Sequence, residues 1–422
     1  MISHLLNARL IDPMTGYDGP GALRIANGQI DDVIKGPSPD VAGLDCDGKV
    51  LAPGLVDMRV FVGEPGARHR ESFRTAGAAA AAGGVTTFVA QPDTTPCLDD
   101  PALVQFALNR AREAAEIKIH VMGALTKGLE GKQMSEQQFL LDAGALGLSD
   151  GDHVIPSAKV LRACMAYAKG LDALIAPATQ DPSLSNGACA TSGEMASRLG
   201  LPAAPAVAEQ IALQRDLALV ANTGCRYHAA QLSTAGALAP LSRARSEDLD
   251  VTAATSIHHL TLNELDIAEY QTFFKITPPL RSESDRIAMI EAVRVGEIDV
   301  ICSSHNPQDE EAKRLPFEEA ASGAVGLETF LPACLRLVHA DQISLLRLFE
   351  CASLRPSQRL GLDSGRLVPG APADLLLFDP EAPFVLDREK LSSKSKNTPF
   401  DRQRMQGKVL GTWVNGKRVF GG

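Results

Sequence analysis

Residues 51–66 read Leu51-Ala-Pro-Gly-Leu-Val-Asp-Met-Arg-Val-Phe-Val-Gly-Glu-Pro-Gly66, a Pro53-Gly54 turn feeding a short apolar strand. Strands that close a parallel barrel carry functional side chains at their C-terminal ends, and here those places hold Arg59 and Phe61. A guanidinium and a phenyl ring offer no lone pair to a metal, which takes neutral imidazole, thiolate or carboxylate. Imidazoles occur elsewhere, at His228, His258, His259 and His305, and together they would make a metal site of a different kind. A lone histidine or a His-His pair is more often a hydrogen-bonded core or surface residue. Asp150 and Asp152 beside His153 have the residue types for a metal-free acid–base dyad, although adjacent acids between a strand and a helix are commonly caps or solvated turns. The charge run Asp309-Glu-Glu-Ala-Lys313 reads as a solvated loop.

The elements that would position these residues follow from the apolar pattern. Eight short apolar runs lie around Gly54–Val60, Val85–Gln91, Ile117–Ala124, Ala145–Ser149, Leu171–Ala176, Cys225–Leu232, Asp250–Ile257 and Ile298–Ser303. Helical stretches separate most of them, among them 74–82, 101–115, 206–221 and 285–295. Strand and helix in alternation mean a parallel sheet, and eight units suggest a (β/α)8 barrel. Asn27-Gly28 and Asn415-Gly416 each sit between apolar runs, the strongest short signal for a two-residue hairpin turn. The two chain ends are therefore expected to form one small composite β-domain, with residues 1–52 and 362–422 flanking a barrel over 53–361.

The order of these strand ends resembles the dihydroorotase family of the amidohydrolase superfamily. The resemblance rests on the 51–66 stretch, on Val85-Thr-Thr-Phe-Val-Ala-Gln-Pro-Asp-Thr-Thr-Pro96, Gly147-Leu-Ser-Asp-Gly151, Tyr227-His-Ala-Ala-Gln-Leu-Ser-Thr234 and His258-His259-Leu260. Phe274-Lys-Ile-Thr-Pro-Pro-Leu-Arg281, residues 298–307, Gly326-Leu-Glu-Thr329 and Ser393-Lys-Ser-Lys-Asn-Thr-Pro-Phe400 continue it to the C-terminus. The resemblance implies a zinc-dependent cyclic-amide hydrolase, in which metal activates water and polarises the amide. It also implies where the ligands would fall: Arg59 and Phe61 on the first strand, Asp150 on the fourth, Ala178 on the fifth, Gln231 on the sixth and Ser304 on the eighth. Only Asp150 is a ligand type, so the zinc expected for the family is expected to be lost here. The family's substrate contacts fall, by the same resemblance, at Gly63, Asp93, Thr277 and Gln308, all substituted.

Two readings stand. In the first, the chain is a dihydroorotase-like protein of pyrimidine biosynthesis without catalysis, acting as a structural partner of aspartate transcarbamoylase, a role held by some degenerate bacterial homologues. In the second, it is an active cyclic-amide hydrolase with an atypical or metal-free site. The 422 residues suffice for one barrel and an appendage, and 45% hydrophobic with 22% charged residues is ordinary for a globular protein. A net charge of -10 argues against nucleic acid and anionic membranes. Eight scattered cysteines without a C-x-x-C pair, and no signal-like or membrane-length apolar run, give the expectation of a cytoplasmic protein, and the resemblance adds that of a homo- or hetero-oligomer.

Overall fold

The computed structural model describes residues 2–421. All eight barrel strands form: Leu55–Val60, Val85–Ala90, Lys118–Val121 continued by Gly123–Ala124, Leu148–Ser149, Leu174–Ile175, Arg226–Ala229, Val251–Ser256 and Val300–Cys302. Each pairs in parallel with the next. The third strand is interrupted at Met122, so its first half pairs with the second strand and its second half with the fourth. Val60 bridges to His305 in parallel, and the Phe61 N–H donates to the His305 carbonyl at 2.8 Å, which closes the ring.

Side chains alternate along these strands as the pleat requires. Val56, Met58, Val89, Met122, Leu174, Ala254, Val300 and Cys302 fill the barrel interior, while Leu55, Val85, Phe88, Ile119, Tyr227 and Ile301 face the surrounding helices. The helices start where side-chain caps allow. Ser72 caps Phe73–Ala82 in a reciprocal capping box with Thr75, Asp100 precedes Pro101 at the start of Pro101–Ala114, and Ser282 caps Glu283–Val295. Each cap satisfies backbone N–H groups that the helix itself leaves free and stabilises by about 1 kcal/mol.

The expected composite β-domain is present as one sheet built from both chain ends. Val50–Pro53 pairs with Ile2–Asp12 on one side and with Leu375–Val385 on the other, and Arg404–Val414 and Lys417–Phe420 complete it. Both Asn-Gly turns have positive φ at both positions, 52° and 81° at Asn27-Gly28 and 47° and 73° at Asn415-Gly416. That matches the right-handed twist of the strands they join. The two turns also abut: a Cβ on Gly28 would stand 2.9 Å from the Asn415 carbonyl oxygen, so only glycine fits. No helix of the described residues is long and apolar enough to cross a membrane.

The run at 309–313 departs from the expectation of a solvated loop. Asp309 accepts from the Ala312 N–H and caps a short helix, Glu310–Arg314, and Lys313 is buried with its ammonium donating to the carbonyls of Thr272 and Lys275. Within this short helix the Lys313 side chain is buried while Glu310 and Glu311 stay exposed. A pattern of charge alone cannot distinguish that arrangement from a loop.

Candidate functional site

The C-terminal ends of the barrel strands converge on a mouth that is almost filled. The remaining cavity, about 20 Å³ and bordered by Arg59, Phe61, Asp93, Asp152, Ser304 and Asn306, has room for a single water. Arg59, carried by the first strand, reaches across to pair with Asp152 and donates to the Gly151 carbonyl at 3.2 Å. Asp152 in turn accepts from Asn306 at 3.1 Å, Asn306 accepts from Gln308 at 3.0 Å, and Arg70 donates to Asn306 at 2.9 Å. The Arg70 guanidinium lies 3.9 Å over the Phe61 ring, a cation–π contact that closes this side.

On the far side the Ser304 hydroxyl donates to the Gln231 side-chain carbonyl at 3.0 Å, and the Gln231 amide reaches the Thr277 carbonyl at 3.4 Å. Ser304 and Gln231 thus satisfy one another, whereas Arg59 Nη1 and Asp93 Oδ1 are buried without a hydrogen-bond partner. Ala178 is half-buried and contributes no polar atom. Gly63 cannot take a side chain here, because its Cβ would stand 2.1 Å from the Ala67 carbonyl oxygen.

Asp150 is the one carboxylate at an expected ligand position, and it is occupied otherwise. Its Oδ1 accepts from the N–H groups of Leu125 and Thr126 at 2.8 and 2.9 Å, and its Oδ2 accepts from the Thr126 hydroxyl at 2.5 Å. Burial pushes its pKa upward, and these donors oppose that shift. The zinc that the fold implies does not fit these residues. Five of the six positions lack a ligand atom of the right kind, and the sixth is already held by three donors. Among the described residues no group of three or more histidine, cysteine, aspartate or glutamate side chains could hold a metal ion.

Nor do the four histidines gather. His228 donates or accepts at Nδ1 with the Thr252 hydroxyl at 2.8 Å inside the barrel. His259 bonds Ser256 and the Pro278 carbonyl. His258 stacks on Phe400, with both ring nitrogens unpartnered. The Nδ1 of His305 accepts from the Gly326 N–H, so its Nε2 carries the proton and faces Glu71 at 3.4 Å. The Asp150–Asp152–His153 dyad also fails to form, since Asp150 is bound to the 125–126 loop, Asp152 to Arg59, and His153 is exposed.

Burial holds His228, His258 and His259 neutral, with pKa values down at about 3. A histidine neutral in the fold but titrating near 6.5 when unfolded binds fewer protons in the native state between those values, so its contribution is lost as pH falls from 6.5. His258→Phe should therefore hold its stability better in acid. Relative to wild type it is expected to gain about 2 kcal/mol between pH 7.5 and pH 5. Urea denaturation at the two pH values checks this, and equal losses in both proteins would refute it.

Two buried charge networks had no signal in the sequence. Glu71 accepts from the Ser393 hydroxyl, the Lys394 N–H and the Thr75 hydroxyl, tying the C-terminal tail to the barrel mouth. Glu209 accepts from Ser233 and Thr234 and faces Arg281 at 3.7 Å. Ser393 and Arg281 lie in family-like stretches, yet their partners are 322 and 72 residues away and nothing local marks them.

The comparisons with known proteins agree with this architecture. The family described as Dihydro-orotase-like matches residues 48–237. A protein of Anaplasma phagocytophilum named dihydroorotase is 39% identical over 98% of this chain and 94% of its own length. The chain belongs to the dihydroorotase family. A dihydroorotase of Desulforapulum autotrophicum is 34% identical over the whole of this chain and 99% of its own. Among solved structures, an L-hydantoinase from Arthrobacter aurescens superposes with a TM-score of 0.90 at 24% identity, covering 100% of this chain and 96% of that one. A dihydropyrimidinase from Brevibacillus agri superposes at 0.85 with 20% identity, covering 100% and 95%. These two establish the barrel with its small β-domain, and the dihydroorotase framework is thus carried by a chain whose mouth residues are bonded to one another.

Proposed function

We propose that this dihydroorotase-family chain serves pyrimidine biosynthesis as a structural partner of aspartate transcarbamoylase and does not itself open or close the dihydroorotate ring. The observation that carries the reading is the mouth itself. Arg59, Phe61, Gln231 and Ser304 stand where ligands would be, and they are locked into hydrogen bonds and a cation–π contact rather than left exposed. Ring hydrolysis needs a polarised carbonyl, an activated water and space for both. A cavity of about 20 Å³ gives no such space. Framework features persist around it, which fits selection for the fold as a binding surface. The choice of partner follows from the family resemblance, and a cytoplasmic setting goes with it.

The second reading, an active cyclic-amide hydrolase with an atypical or metal-free site, draws its support from full-length similarity to proteins named dihydroorotase. Co-expression with the transcarbamoylase of the same organism separates the two. The first reading expects a joint assembly on gel filtration and transcarbamoylase activity that falls when this chain is withheld. Two proteins eluting apart, with the transcarbamoylase fully active alone, would exclude it.

A further inference from the structure

Beside the closed mouth lies a larger cavity of about 640 Å³, between the 270–273 segment with helix Glu310–Arg314 and the C-terminal tail at 388–397. Its walls carry three carboxylates, and each has a basic side chain beside it. Asp309 faces His69 at 3.3 Å, Glu310 pairs with Arg314 at 2.7 Å, and Glu389 with Arg388 at 3.0 Å. Three lysines line the same space, none in an ion pair among the described residues. Lys313 donates to the Thr272 and Lys275 carbonyls at 2.9 and 3.2 Å, Lys394 to the Arg68 carbonyl at 2.8 Å, and Lys396 to the carbonyls of Leu391 and Ser393.

A carbonyl satisfies an N–H but does not neutralise its charge. Each ammonium has three donors, so these contacts leave at least one free on every lysine. Three lysines gathered in one cavity, of which only Lys396 has a carboxylate, Glu328, near enough to act on it, run against a chain whose net charge is -10. The cost is visible at Lys313, only 5% exposed, whose pKa burial and the neighbouring Lys275 pull down to about 7. Phe273, the exposed ring of Tyr270 and Leu315 supply an apolar wall.

We propose that this cavity binds a phosphorylated small organic molecule, its phosphate among Lys313, Lys394 and Lys396 and its body against Phe273, Tyr270 and Leu315. Lysines act as point charges around a phosphate, whereas carboxylate recognition favours the bidentate fork of arginine, and both arginines here are already engaged by acids. The volume lies within the range of about 300–1,000 Å³ usual for small-ligand sites. The site adjoins the mouth, sharing Gln308 with its hydrogen-bond network, and holds whichever function the mouth has.

The test is calorimetric titration of the full-length protein with adenosine monophosphate, inorganic phosphate and tricarballylate. Adenosine monophosphate is expected to bind more tightly than inorganic phosphate, and tricarballylate more weakly than either. The double variant Lys394→Gln, Lys396→Gln should weaken the nucleotide by at least about tenfold, a loss of 1.4 kcal/mol or more. At pH 8 binding should take up a fraction of a proton, since an anion beside Lys313 raises its pKa. No binding up to about 10 mM, well above the usual affinity of a specific site, would overturn the proposal. So would an unchanged affinity in the double variant, or a tricarballylate affinity equal to that of the phosphates. Adenosine monophosphate binding no more tightly than inorganic phosphate would remove the organic body from it. Should the variant misfold, acetic anhydride labelling of the wild type decides: the nucleotide should slow acetylation of Lys394 and Lys396 but not of exposed Lys132, and equal labelling with and without it overturns the assignment.

Discussion

Purified protein supplied with zinc and dihydroorotate is expected to open the ring no faster than buffer does, a deficit of at least about 10⁶-fold against a working enzyme. The obstacles to metal binding add up across the mouth. Asp150 has both oxygens engaged by the 125–126 loop, so even this remaining ligand is already held by three hydrogen bonds. Arg59→His would remove a cation that Asp152 now pairs with, leaving that carboxylate with Asn306 alone. Restoring the family arginine at Gly63 meets the Ala67 carbonyl at 2.1 Å. Single histidine restorations at Arg59, Phe61, Ala178 or Gln231 should accordingly yield neither zinc retention nor turnover, because a catalytic zinc site takes three or more protein ligands together. Elemental analysis alongside a spectrophotometric assay of dihydroorotate is the measurement. Turnover by the wild-type protein that is abolished by Arg59→Ala or Asp152→Asn would defeat the argument and favour a metal-free hydrolase.

A second large effect is expected at Glu209. This carboxylate, wholly buried in the first turn of the helix Val207–Thr223, accepts from the backbone and hydroxyl of both Ser233 and Thr234 and from the Gln180 amide at 3.1 Å. Arg281 stands opposite, 2% exposed, with its remaining bonds to Ser233 and Thr191. Glu209→Ala removes the counter-charge and leaves the guanidinium uncompensated in the interior, which costs about 3–5 kcal/mol. Glu209→Gln keeps an acceptor for Ser233 and Thr234 and should lose less. An exposed acid on a nearby helix, Glu194, should change stability by no more than about 0.5 kcal/mol when replaced by alanine. Urea midpoints for the three variants test this, and a loss at Glu209→Ala below that of Glu194→Ala would show that the pair contributes nothing.

The barrel was legible because strand burial writes itself into the chain as apolar runs, and the helices because they fill the stretches between those runs; their caps at Ser72, Asp100 and Ser282 emerge only in the structure. Asn27-Gly28 and Asn415-Gly416 were legible for a stricter reason, since two consecutive positive φ values admit few residues. Expected ligand positions could be assigned residue by residue through the resemblance. What replaced their chemistry could not, because Arg59 meets Asp152 across 93 residues and Glu71 meets Ser393 across 322. No local pattern encodes which distant carboxylate a cation will find. The helix at 310–314 failed for the opposite reason: its five residues are too short for periodicity to register, and the burial of Lys313 depends on two carbonyls supplied by residues 272 and 275.

The sheet that joins the two chain ends bears on how the protein is made. Val50–Pro53 leaves the ribosome early, yet its partner Leu375–Val385 follows more than 320 residues later, a lag of some tens of seconds at about 5–20 residues per second. During that interval Leu51 and its neighbours present an unpaired strand edge and half of an apolar core whose other half, Leu375, Leu377 and Trp413, does not yet exist. Synthesis therefore holds a sticky template open until the last strands arrive. Loss of even the final fifty residues leaves the barrel's own strands intact but uncaps that edge for good, so a prematurely terminated chain is destined for aggregation rather than for partial function.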